Sequence, residues 1–120
     1  MIADIVLPRA GTASDHVRVK AMSSIGFEAF RATLEDARPP AGVSPALAAM
    51  WHEAKGEWDA AHRLAQDEDD ANGAWVHAYL HRVEGDLSNA GYWYRRAGRP
   101  ASEQPLRDEW TAIVKVLLAK

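Results

Sequence analysis

His77 and His81 stand four residues apart, a spacing that places two imidazoles on one face of a helix, with Glu84 a turn further on. Two nitrogens held this way can chelate zinc, nickel or copper. An internal repeat, set out below, brings His52 to the place equivalent to His81. His77, His81 and His52 therefore form the expected metal set, with a divalent transition metal as the only cofactor to consider. A plain packing role competes with it, the ring body lying against a neighbouring helix and one nitrogen hydrogen-bonded. H-x-x-x-H by itself lacks the catalytic Glu and the third ligand of an established zinc motif.

A second group joins aromatics to bases: Tyr92, Trp93, Tyr94, Arg95 and Arg96, followed by Arg99. Stacking and bidentate contacts to phosphate or carboxylate are the chemistry such a group offers. Arg95, Arg96 and Arg99 are accordingly the expected partner-binding residues. The competing reading puts Trp93 and Tyr94 in the core and leaves the arginines as a solvated face balancing Glu84 and Asp86. Glu68-x-Asp70-x-Asn72-Gly73 looks like a calcium loop but begins with Glu and has Tyr79 where the bidentate Glu belongs, so Asp70 or Asn72 reads as a helix cap. No catalytic residue is assigned. The chain has no nucleophile elbow, no phosphate-binding glycine loop and no H-E-x-x-H.

Composition narrows the field further. The 120 residues allow one domain, and 48% apolar residues suffice for a core. A net charge of −3 gives no global attraction to nucleic acid or anionic membrane. With no cysteine there is no disulfide framework and no thiolate ligand. No apolar run reaches the roughly 18 residues of a membrane span. Met1 to Leu7 is too short for a secretory signal and carries Asp4. A cytoplasmic protein is the expectation.

The elements that must position these groups are helical. Residues 1–21 stand apart as a leader, either disordered or paired as a short β-hairpin through Ile5-Val6-Leu7 and Val17-Arg18-Val19. Residues 22–120 read as one helical domain. Phe27, Phe30, Leu34 and Ala37 share a stripe over 24–37, ended by Pro39-Pro40. Ser44-Pro45 starts the next helix as N-cap and first-turn proline. Helical stripes follow through Leu47, Met50 and Trp51; Trp58, Ala61 and Leu64; Trp75, Tyr79 and Leu80; and Ala90, Trp93 and Tyr94. Gly56, Gly85 and Gly98 punctuate them. A capping helix over 105–119 has the cleanest pattern: Leu106, Trp110, Ile113, Val114, Leu117 and Leu118. All five tryptophans fall on such stripes, where core packing accounts for them.

Aligning Gly56 with Gly85 superposes two units at an offset of 29 residues. His52 meets His81, Glu57 meets Asp86, Trp58 meets Leu87, Ala61 meets Ala90 and Trp51 meets Leu80. The shared pattern G-[ED]-[WL]-x-x-A resembles the tetratricopeptide repeat. Ala90-x-x-x-Tyr94 and Pro100 extend the likeness in the second unit. The period is shorter than the usual 34 residues, and His52 and His81 replace an aromatic of the family. The stretches 54–62 and 73–82 also resemble a group of small uncharacterised bacterial proteins, a likeness that implies no activity.

The resemblance implies an all-α fold of five to six short helices in stacked antiparallel hairpins, with repeat units at about 44–70 and 73–100. It further implies a non-enzymatic interaction module whose first helices receive a protein or peptide. Homodimers are compatible with it. The alternatives are a metal-binding protein or metal-dependent enzyme using the His pair, and a nucleic-acid accessory protein acting through the arginines, which the net charge disfavours.

Overall fold

Polar caps and left-handed glycines cut the chain into helices. Ser44 Oγ accepts from the Leu47 amide at 3.2 Å, Asp70 from Gly73 at 2.9 Å and Asp86 from Asn89 at 3.1 Å. Each thereby satisfies an amide that has no partner inside its helix. The computed structural model describes residues 25–120, so the expected leader at 1–21 lies outside the described residues. Among the described residues six α-helices follow one another: α1 Phe27–Ala32, α2 Pro45–Ala54, α3 Trp58–Asp67, α4 Ala71–Val83, α5 Leu87–Ala97 and α6 Leu106–Leu118. A 3-10 turn, Thr33–Glu35, extends α1.

The stripe expected over 24–37 is therefore helical only in part. Thr33 Oγ1 donates back to the Phe30 carbonyl at 2.6 Å, and the Thr33 carbonyl takes the Asp36 amide at 2.8 Å and the Trp51 indole N–H at 3.3 Å. With that carbonyl engaged outside the α-helical ladder, the helix tightens and stops.

Helices α2–α3 and α4–α5 are two hairpins with the same turn. Glu57 N–H reaches the His52 carbonyl at 3.0 Å, and Asp86 N–H reaches the His81 carbonyl at 2.9 Å. Gly56 and Gly85 sit between them at φ 80° and 88°. This is the Schellman arrangement, whose left-handed residue favours glycine. Ala61 and Ala65 of α3 and Ala90 of α5 are buried where the helices approach.

The layers explain the burial pattern. Helices α2 and α4 pack on each other, with α3 and α5 against them and α6 also contacting both. Burial is continuous over Ala46–Trp51 in α2 and Gly73–His81 in α4, as expected of helices covered all round. Trp110, Ile113, Val114 and Leu117 of α6 are buried, and the Trp110 indole donates to the Met50 carbonyl at 3.0 Å. Arg82 of α4 reaches the buried Glu109 of α6 at 2.7 Å and also donates to the Gln104 carbonyl, while Tyr94 hydroxyl donates to Glu109. The first helices of the two hairpins, expected to receive a partner, thus each carry a contact with the chain's own α6. Among the described residues no helix is long and apolar enough to cross a membrane.

Candidate metal centre

Three imidazoles converge where the two hairpins meet. His77 and His81, one turn apart on α4, lie nearly parallel with ring centroids 4.9 Å apart. His62 of α3 meets them edge-on, at 4.6 Å from His77 and 5.3 Å from His81. His62 Nε2 and His77 Nε2 are 2.9 Å apart. One nitrogen from each of the three rings lies within 4.8 Å of the others.

Aromatic walls fix this cluster. Trp58, one turn before His62, stacks on it at 4.8 Å and donates its indole N–H to the Leu80 carbonyl at 2.7 Å, which ties α3 to α4. Trp93 of α5 stacks on the far face of the site, 3.9 Å from His77. His81 Nδ1 lies 2.8 Å from Glu84 Oε2. A carboxylate that accepts from Nδ1–H fixes the tautomer and leaves Nε2 with a free lone pair.

Burial decides the charge state. His77 and His81 are buried, and His62 is half-buried. Desolvation, reinforced by the neighbouring imidazoles His62 and His81, lowers His77 to about 4. His62 is lowered as well, by burial first and His81 second, with Glu84 and Asp59 opposing. Near neutral pH His62 and His77 are therefore neutral, the form that ligates a metal. Since His62 and His77 face each other through Nε2, one must donate to the other. Two nitrogens at 2.0–2.1 Å from a tetrahedral metal are roughly 3.3 Å apart, so a small rotation of both rings would admit an ion. Imidazole donors suit zinc, copper and nickel and not calcium or magnesium.

His77 also borders a cavity of about 410 Å³ together with Trp93, Arg96, Glu68, Asp69 and Asp70. The three acids give a cation an attractive route toward the rings. A second carboxylate-bearing group, His81 with Glu84 and Asp86, lies at the Gly85 turn and shares His81 with the first.

The expected set of His77, His81 and His52 is brought together only in part: the third imidazole is His62. His52 lies at the other hairpin's turn, its Nδ1 2.6 Å from Glu57 Oε1 and its ring against Trp51. The reason is the order of stacking. The first helix of a hairpin packs on the second helix of the hairpin before it, so His81 finds His62, whereas α2 has no such helix before it. His62 carried a readable signal: Trp58-x-x-x-His62 has the same one-turn spacing as His77-x-x-x-His81.

Arg95, Arg96 and Arg99 are all exposed. Arg99 stacks over Trp75 at 3.4 Å, and Arg96 lies over Trp93 at 5.5 Å and within 3.4 Å of the Tyr92 hydroxyl. Arg95 is exposed on α5. No protein-family model, curated protein or solved structure matches the chain.

Proposed function

We propose that this chain is a transition-metal-binding helical-hairpin protein whose ligands are His62, His77 and His81. The observation that supports it is the convergence of three imidazoles from two hairpins, one of them oriented by Glu84. Glu84 would act behind His81, raising its basicity and fixing its ring. Three nitrogen ligands leave a fourth position of a tetrahedral ion for water or another small donor. The test is calorimetric titration of zinc, copper and nickel into protein free of a polyhistidine tag, with elemental analysis of the product. The expected result is one ion per chain, lost in the His77→Ala, His81→Ala double variant, weakened at least tenfold in His62→Ala and kept in His52→Ala. A folded protein that takes up none of the three metals would end the proposal.

A second reading, the non-enzymatic interaction module, draws support from the outer face of α5. Leu87 is 68% exposed and Tyr92 45% exposed, and both lie on the helix that carries Arg95 and Arg96. Because α6 contacts both first helices, a partner would meet α5 instead. Affinity purification from the native host addresses it. A stoichiometric protein lost on Arg95→Ala, Arg96→Ala substitution supports this reading, and a partnerless chain removes it.

A further inference from the structure

On the α6 side of the hairpins, α1, α2, α4 and α6 leave open a cleft of about 640 Å³. That volume lies in the range that holds a small organic ligand. Leu34 of the 3-10 turn and Leu106 and Trp110 of α6 line it, and Glu53 of α2 and Tyr79 of α4 border it from the hairpin side.

Glu53 and Arg82 occupy the same register of the repeat, 29 residues apart, each one residue after the histidine of its hairpin. Arg82 extends to α6 and is answered by the buried Glu109 at 2.7 Å. Glu53 borders the cleft under α6 and is in no ion pair among the described residues. The bases nearby do not answer it. Arg31 is paired with Glu28 at 3.0 Å, and Arg107 lines the cleft without reaching an ion-pair distance. Glu53 lies close to the Tyr79 hydroxyl, which donates to the Leu106 carbonyl at 3.3 Å. Half-burial raises the Glu53 carboxyl above its ordinary range, so its charged form costs folding stability. A half-buried carboxylate with no ion-pair partner among the described residues, at the edge of a cleft that also presents Leu34, Leu106 and Trp110, has the arrangement of a binding group.

We infer that this cleft binds a small organic amine, its ammonium group meeting the Glu53 carboxylate and its apolar body lying against Leu34, Leu106 and Trp110. The charge selects a cation over an anion. Glu28 and Glu35 also line the cleft, but among the described residues no three ligating atoms converge there, which disfavours a metal ion. The cleft is separate from the three histidines, which face α3 and α5, so the two sites stand or fall independently.

The test is an NMR titration of the full chain with tryptamine, phenethylamine and hexylamine, each beside its neutral alcohol. The amines are expected to shift the Trp110 indole N–H and the amides around Glu53 in a saturable way. The alcohols should bind at least tenfold more weakly. Glu53→Gln should lose the amine by at least tenfold while melting no lower than the wild type, which separates binding from folding. Alcohols binding as well as amines, undiminished binding to Glu53→Gln, or no shift with any of the three amines would each overturn the inference. An anionic probe, 3-indolepropionate, that binds more tightly than tryptamine would assign the cleft to Arg107 instead and overturn it equally.

Discussion

The two hairpins share a turn and differ in what surrounds it. In both, a histidine carbonyl receives the amide of the residue just after the turn glycine, and in both the histidine Nδ1 meets a carboxylate: Glu57 for His52, Glu84 for His81. Each hairpin thus carries one oriented imidazole, held by a carboxylate five residues on in the first and three residues on in the second. Chemistry then depends on neighbours. One turn before His81 stands His77, and across from it His62; one turn before His52 stands Ala48. The same contrast runs along the α6 side, where Arg82 has Glu109 and Glu53 has no ion-pair partner among the described residues. A repeat copies geometry, while the stacking order and single substitutions decide which copy becomes a site.

The strongest way to break this comparison is to unpair Arg82. Arg82→Met leaves Glu109 buried without its guanidinium, and breaking a buried pair costs about 3–5 kcal/mol. Glu53→Met, at the equivalent place, should cost less than about 1 kcal/mol or stabilise, because it removes a carboxyl that burial already disfavours. Urea unfolding of the two variants checks the contrast; equal losses would mean that Glu53 and Arg82 are equally committed to the fold.

Gly73 sharpens it next. Its repeat equivalent is Ser44, a half-buried cap, but Gly73 lies where α4 begins under the end of α3. A Cβ built there would stand 1.7 Å from the Glu68 carbonyl oxygen and 2.8 Å from its carbon. Both are backbone atoms, so the loop itself must move, and overpacking of this kind costs about 1–3 kcal/mol. Gly73→Ala should reach the upper end of that range in urea. It should also loosen the acid-lined cavity beside His77, visible as a weaker metal affinity in the same calorimetric titration.

Acid should destabilise the metal-free protein through the histidine cluster. An unfolded chain protonates a histidine near 6.5, whereas folded His77 takes its proton only at about 4. Between those values the unfolded state holds the extra proton. The contribution is therefore complete above about pH 6.5 and is lost progressively as pH falls to about 4. The loss is on the order of 2 kcal/mol. Glu53 and Glu68, both raised by burial, act with the opposite sign at acid pH. The measurement is accordingly a difference: wild type minus His77→Phe, which keeps a ring between His81 and Trp93, followed in urea from pH 7.5 to 4.5. A difference that does not change with pH would mean His77 titrates normally. Bound zinc should hold the wild type flat to lower pH, since metal and proton compete for the same lone pairs.

Much of the architecture is legible in the residues because it rests on local rules. Gly56, Gly85 and Gly98 end helices wherever left-handed backbone is required, and Trp110, Ile113, Val114 and Leu117 mark one face of α6 by spacing alone. The site was legible by half. His77 and His81 share a helix, so their spacing reveals them. His62 joins from another hairpin, and only the lateral stacking of α3 on α4 makes the pair a triad. The place of α6 was hidden for the same reason: its apolar face was evident, but whether it would cap the end of the stack or lie across α2 and α4 depends on contacts 60 residues apart, such as Trp110 to Met50. The early end of α1 turned on the Trp51 indole taking the Thr33 carbonyl.

The smallest effect is the one that tests whether the turns are equivalent at all. Gly56 and Gly85 lie at φ 80° and 88°, and a Cβ at either would meet nothing within 4 Å. Crowding is thus excluded at both, and only the intrinsic cost of a left-handed L-residue remains, about 1–2 kcal/mol. Gly56→Ala and Gly85→Ala should therefore lose the same amount of stability, within a few tenths of a kcal/mol. Their effects on metal should differ even so. The Gly85 turn carries Glu84, which orients His81, so Gly85→Ala should weaken zinc binding by several-fold, whereas the Gly56 turn orients only His52 and its variant should bind as the wild type does. Equal stability with unequal zinc affinity would separate the copied geometry from the local chemistry. Equal affinity would mean that Glu84 plays no part in holding His81 toward the metal.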